Sequence, residues 1–78
     1  AQGALDKGGL RKLQTMYIVK GMCEYNQNQL KTARKSFVSC RSESRKDKDN
    51  NNVRICAQWI TFIDREATRQ AQLAAAGG

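Results

Sequence analysis

Apolar residues recur at helical rather than strand spacing through most of this chain, and they divide it into three stretches. The clearest is the last. Val53, Cys56, Ile60, Ile63 and Ala67 follow one another at alternating steps of three and four, and Ile55, Trp59 and Phe62 widen that stripe. The pattern predicts a helix from Val53 to about Ala74, with Trp59 in the core. Beyond Asp64 the segment REATRQAQLAAAGG still favours helix but has little to bury, so residues 53–78 read as a capping helix with a frayed end. A second helix is predicted from Gln29 to about Ser42, where Leu30, Ala33, Phe37 and Cys40 form one stripe. Lys31, Arg34, Lys35 and Arg41 fall away from it and form a solvated basic face.

The first helix, from about Leu10 or Lys12 to Asn26, does not keep to a single stripe. Leu13, Tyr17 and Gly21 line one face, Ile18, Met22 and Tyr25 a second, and Met16, Val19 and Cys23 a third. A helix apolar nearly all round expects cover on several sides. Met16, Val19 and Cys23 are therefore a candidate self-association face. Between the first two helices, Tyr25-Asn26-Gln27-Asn28 is turn-forming, and Asn28 suits the left-handed residue that ends a helix. Glu43 to Asn52, ESRKDKDNNN, has almost no apolar content and reads as a charged mobile loop, with Asn51 or Asn52 as cap of the last helix. Residues 1–9 read as the tail of a preceding helix or a flexible N-terminus closed by Gly8-Gly9.

The placement of small residues organises residues 10–42 into a hairpin. Gly21 on one helix and Ala33 on the next permit close backbone approach, Phe37 one turn later fills the space between them, and Cys40 is a further small residue. This spacing resembles one tetratricopeptide repeat, a helical hairpin of about 34 residues marked by glycine, alanine and aromatic positions. Gly21, Ala33 and Phe37 match directly, Tyr17 takes the aromatic slot, Asn28 the turn position and Cys40 the second small one. Three positions depart: Lys20 stands where leucine is usual, Glu24 where tyrosine is, and Arg45 where proline often closes the repeat. The resemblance implies an all-α fragment of a right-handed superhelix, with more repeats preceding Ala1, and a non-catalytic protein-binding scaffold. Carried over by position, its partner-binding face is Thr15, Ile18, Met22, Tyr25 and Asn26. The alternative is that Ile18 and Met22 simply pack on the third helix. With ALDKGGL before the hairpin and AQWITFIDRE after it, the chain is also similar to the C-terminal end of tetratricopeptide proteins associated with TonB and ExbB energy-transducing systems of Gram-negative bacteria. That similarity implies a periplasmic scaffold assisting iron-siderophore uptake. A cytoplasmic location is the alternative.

Composition changes this picture in two places. Fourteen basic against seven acidic residues give a net charge of +7. An anionic partner such as nucleic acid is thus a second reading, through Lys31, Arg34, Lys35, Arg41, Arg45 and Lys46. That face carries no interleaved aromatics for base stacking, and plain solvation is the simpler account. The three cysteines lack CxxC spacing and the chain has no histidine, which argues against a zinc site and nucleophile–histidine catalysis; Asp47 and Asp49 alternate with lysines and lack the ligand count of a calcium loop, and no metal or cofactor is expected. Cys40 and Cys56 are either small buried residues, the favoured reading, or a disulfide closing the charged segment between them. Cys23 reads as a packing residue. No apolar run approaches the ~20 residues of a membrane span.

Overall fold

The computed structural model describes residues 12–77, and the expectations for residues 1–9 lie outside them. Three helices follow in order: α1 (Leu13–Asn26), α2 (Leu30–Lys46) and α3 (Asn50–Gly77), with no strand among the described residues. The fold is all-α. The first two helices form an antiparallel hairpin, and α3 packs along α2 with α1 touching it at the edge.

Phe37 lies at the centre of the packing. Its side chain is fully buried, as are Ala33 and Cys40 on α2 and Cys56 on α3, with Ile60 and Ile63 completing the core. The Cδ2–Cε2–Cζ side of the ring abuts Gly21: a Cβ placed there would sit 2.7 Å from Phe37 Cε2 and 2.8 Å from Cζ. One face of the same ring stacks on the Trp59 indole, with centroids 4.9 Å apart and planes 1° from parallel. One side chain therefore joins all three helices. Trp59 itself is only partly buried, at the rim of the core rather than within it. Tyr17, Ile18, Tyr25, Leu30 and Val38 pack around the same cluster.

Both connections have the same design. After α1, Asn28 adopts φ 62°, its N–H donates to the Tyr25 carbonyl, and the Gln29 N–H donates to that of Glu24. After α2, Lys48 adopts φ 55°, its N–H donates to the Arg45 carbonyl, and the Asp49 N–H donates to that of Ser44. Each is a Schellman turn, which satisfies the last carbonyls of the helix and reverses the chain.

The second turn corrects the sequence reading. Residues 43–52 are not a long loop: α2 runs on to Lys46, only Asp47 to Asp49 lie between helices, and α3 starts at Asn50. The reason is that the buried stripe continues in polar form. Ser44, one turn beyond Cys40, is completely buried, with its Oγ 3.8 Å from Cys40 Sγ. The cap of α3 is Asp49 rather than Asn51 or Asn52. Its Oδ1 accepts the Asn52 N–H and its Oδ2 accepts the Asn52 side-chain amide. From α1, the buried Gln14 donates through Nε2 to Asp47 Oδ2 at 3.1 Å and Asp49 Oδ2 at 3.2 Å, and Lys12 pairs with Asp47. The start of α1 is thereby tied to the α2–α3 turn.

Cys40 and Cys56 are joined by a disulfide with a Cα–Cα distance of 6.2 Å, which corrects the favoured reading of two separate thiols. Closing a loop of this length in the unfolded chain contributes about 3 kcal/mol. Cys23 is free and exposed rather than packed. The last link from α3 to the hairpin along its length is Gln70 Nε2 to Asn28 Oδ1 at 2.9 Å. Beyond it the helix projects, exposed, to Gly77, which contributes to a molecule 55 Å long and 21 by 14 Å across.

Two outcomes follow for stability. Gly21→Ala removes a helical glycine, a change ordinarily favourable by up to about 1 kcal/mol, yet overpacking a core costs typically about 1–3 kcal/mol. Phe37 is fully buried and stacked on Trp59, so its ring has little room to give way, and the variant is expected to be less stable than the parent in urea titration. Asp49→Ala removes a cap worth about 1 kcal/mol. Donation by Gln14 is the largest effect on the Asp49 carboxyl; burial opposes it, and with donation by the Asn52 N–H and side chain and the Lys12 charge the net result holds the carboxyl below its usual value in the fold. A depressed folded value means that this stabilisation is complete above the unfolded carboxylate range, near pH 4, and is lost as pH falls through the folded value. Urea midpoints of parent and Asp49→Ala should differ at pH 7 and converge in acid.

Candidate functional site

The surface where α1 and α3 run side by side is built from two stripes of the same spacing. On α1, Ile18, Met22 and Tyr25 fall at i, i+4 and i+7; on α3, Ile55, Trp59 and Phe62 do the same. The helices are parallel, since Gln14 meets Asp49 near the start of both and Tyr25 meets Trp59 and Phe62 further along. The stripes join in an aromatic cluster. Tyr25 lies 5.6 Å from Trp59, 5.5 Å from Phe62, and Phe62 lies edge-on to Trp59 at 5.8 Å.

Much of this surface is open to solvent: Met22 is 42% exposed, Ile55 40% and Phe62 49%. Ile55, Gln58, Trp59 and Phe62 line a shallow open depression. Ile18 and Tyr25 are partly buried and pack against the core, which fixes the base of the surface, while Met22 is not packed against that core and is exposed. Of the other two residues carried over by position, Asn26 is exposed at the end of α1. Thr15 borders a different depression, with Met16, Val19 and Lys20. The three residues the sequence brought together on α1 are thus Ile18, Met22 and Tyr25. It missed Ile55 and Phe62 as surface residues. Their spacing showed which side of α3 they share, but gave no measure of how far α1 covers that side.

The second uncovered surface is the outer side of α1, where Leu13, Met16 and Val19 are each more than half exposed and Cys23 is exposed beside them. Next to it, the departures at Lys20 and Glu24 have a shared cause. Lys20 Nζ donates to Glu24 Oε2 at 2.6 Å, the buried Ser36 Oγ donates to Glu24 Oε1 at 2.6 Å, and Lys20 also reaches Ser36. These donors, Lys20 first and then Ser36, hold the Glu24 carboxyl below its usual range. A polar clamp from α1 to α2 thus stands where the repeat pattern has leucine and tyrosine.

The basic face of α2 is less free than its sequence suggests. Arg34 Nε donates to Asp64 Oδ1 at 2.7 Å, linking α2 to α3, and Lys46 pairs with Glu43. Both pairs are solvent-exposed and of the kind worth under about 1 kcal/mol. Among the described residues, no group of three or more histidine, cysteine or carboxylate side chains is placed to hold a metal ion. No helix among them is long and apolar enough to cross a membrane.

No protein-family model, no curated protein and no solved structure matches this chain.

The open surface predicts a division between Phe37 and Phe62. Phe37→Ala empties a fully buried site and is expected to cost about 3–5 kcal/mol, enough to unfold much of a domain this small. Phe62→Ala should cost under about 1.5 kcal/mol, about half its area being already exposed. Urea titrations of the two variants check this.

Proposed function

We propose that the chain is a non-catalytic protein–protein interaction scaffold of the tetratricopeptide type, and that it captures a peptide or helix on the α1–α3 surface. The observation that carries this reading is the pair of matched apolar stripes, anchored at the base by Ile18 and Tyr25 and open at Met22, Ile55 and Phe62. Aromatic rings supply large contact area at low entropic cost, and a methionine adapts its shape to the partner. Helical peptides are read by such surfaces through residues spaced at i, i+3/i+4 and i+7.

Three features support the repeat class. Phe37 seats against Gly21 beside the buried Ala33. Both turns have one geometry, as expected where hairpins are stacked in series. Helices α1 and α3 begin 37 residues apart, at Leu13 and Asn50, near the ~34-residue repeat length.

The same proposal extends to compartment and system. A buried disulfide is characteristic of oxidising surroundings. It supports a periplasmic location for the scaffold; work with a TonB–ExbB assembly is what the similarity of the flanking segments implies.

Substituting both Met22 and Tyr25 by alanine should abolish partner capture while leaving most of the helicity by circular dichroism. Unchanged binding would remove this surface from consideration. For the compartment, protein purified from periplasm should gain two hydrogens in intact mass on reduction. A fully reduced Cys40–Cys56 pair in freshly isolated native protein would contradict it.

A further inference from the structure

The carboxylates of the described chain are all engaged by its own donors. Glu24, Glu43, Asp47, Asp64 and Glu66 pair with Lys20, Lys46, Lys12, Arg34 and Arg69, and Asp49 accepts from Gln14 and Asn52. What remains without a carboxylate partner among the described residues is cationic: Lys31, Lys35, Arg41, Arg45, Lys48, Arg54 and Arg65.

Two of these border the apolar surface. Arg54 adjoins Ile55 in the chain and lies one turn before Gln58, which lines the depression; Arg65 lies one turn after Phe62. At about 100° per residue, Arg54, Gln58 and Arg65 fall along one edge of the Ile55–Trp59–Phe62 stripe, on the side away from the buried Cys56 and Ile63. Both arginines are exposed. They stand about three turns apart, roughly 16 Å. Along this edge there is no described carboxylate: Asp64 turns to Arg34 on α2, and Glu66 is held by Arg69 and Gln70.

We infer that the α1–α3 surface takes an acidic amphipathic helix, whose apolar side covers Met22, Tyr25, Ile55 and Phe62 and whose carboxylates meet Arg54 and Arg65. Each guanidinium offers a planar fork of donors suited to a carboxylate, and an edge of one sign repels basic helices of equal apolarity. Lys31 and Lys35, two of the other cations without a carboxylate partner among the described residues, do not serve this site. They lie on the exposed side of α2, which backs the core. This inference rests on the proposed docking surface and adds the charge of its occupant.

The test uses the full 78-residue chain and two synthetic helical peptides. Both carry leucines at i, i+4 and i+7; one has glutamates beside that stripe and the other lysines. Trp59, the one tryptophan, reports binding by its fluorescence. The glutamate peptide should bind about tenfold more tightly than the lysine peptide at low salt, as two exposed charge pairs allow. The preference should shrink as salt rises. Arg54→Glu/Arg65→Glu should reverse the preference, and Lys31→Glu/Lys35→Glu should preserve it, with both variants keeping the parent's circular dichroism. Equal binding of the two peptides, or an unchanged preference in Arg54→Glu/Arg65→Glu, overturns the inference and leaves the docking surface standing. Failure of both peptides to bind overturns the docking surface as well. Duplex DNA bound more tightly than the glutamate peptide, and lost on Arg54→Glu/Arg65→Glu, would overturn it in favour of an anion-binding face.

Discussion

Phe37 is the contact on which the three-helix arrangement depends. Its ring is fixed by Gly21 on α1 and by the Trp59 indole on α3, while Ala33 on its own helix leaves room for the close approach. A side chain at Gly21 would collide with the ring, and a smaller residue at Phe37 would leave a void. In a domain this small the core is a handful of side chains, so one aromatic ring carries an unusual share of the packing. The Cys40–Cys56 bridge offsets that limitation by joining α2 to α3 covalently one turn from both members of the Phe37–Trp59 stack.

The polar interactions do a different task. Gln14 reaching Asp47 and Asp49, and Ser36 reaching Glu24, fix the axial position of α1 against its neighbours. The seat of Phe37 on Gly21 sets that position at one level, and the directional hydrogen bonds hold it at two others, because an unpaired buried donor is costly. That position decides where Tyr25 meets Trp59 and Phe62, and so whether the two apolar stripes lie level. The docking surface proposed for the chain is in this sense a product of the hairpin's register.

The hairpin was legible in the sequence because close helix contacts require small residues at particular steps, and Gly21, Ala33 and Phe37 carry that requirement in their identities. The segment from Glu43 to Asn52 was not. Its buried position is filled by Ser44, and its turn by Lys48 in a left-handed conformation where glycine or asparagine is usual, so neither apolar periodicity nor turn composition marks it. The Cys40–Cys56 bond depends on a distance between helices that no local pattern encodes. Half of the candidate surface could be read in advance, through Ile18, Met22 and Tyr25. The α3 half could not, because Ile55 and Phe62 have the spacing of core residues and are left open only by the limited reach of α1.

Nuclear Overhauser spectroscopy of the oxidised 78-residue chain addresses the central contact most directly. Cross-peaks are expected from the Gly21 α-protons to the Phe37 ring, and from that ring to the Trp59 indole, in one folded species. A folded chain showing neither set of cross-peaks would contradict this arrangement.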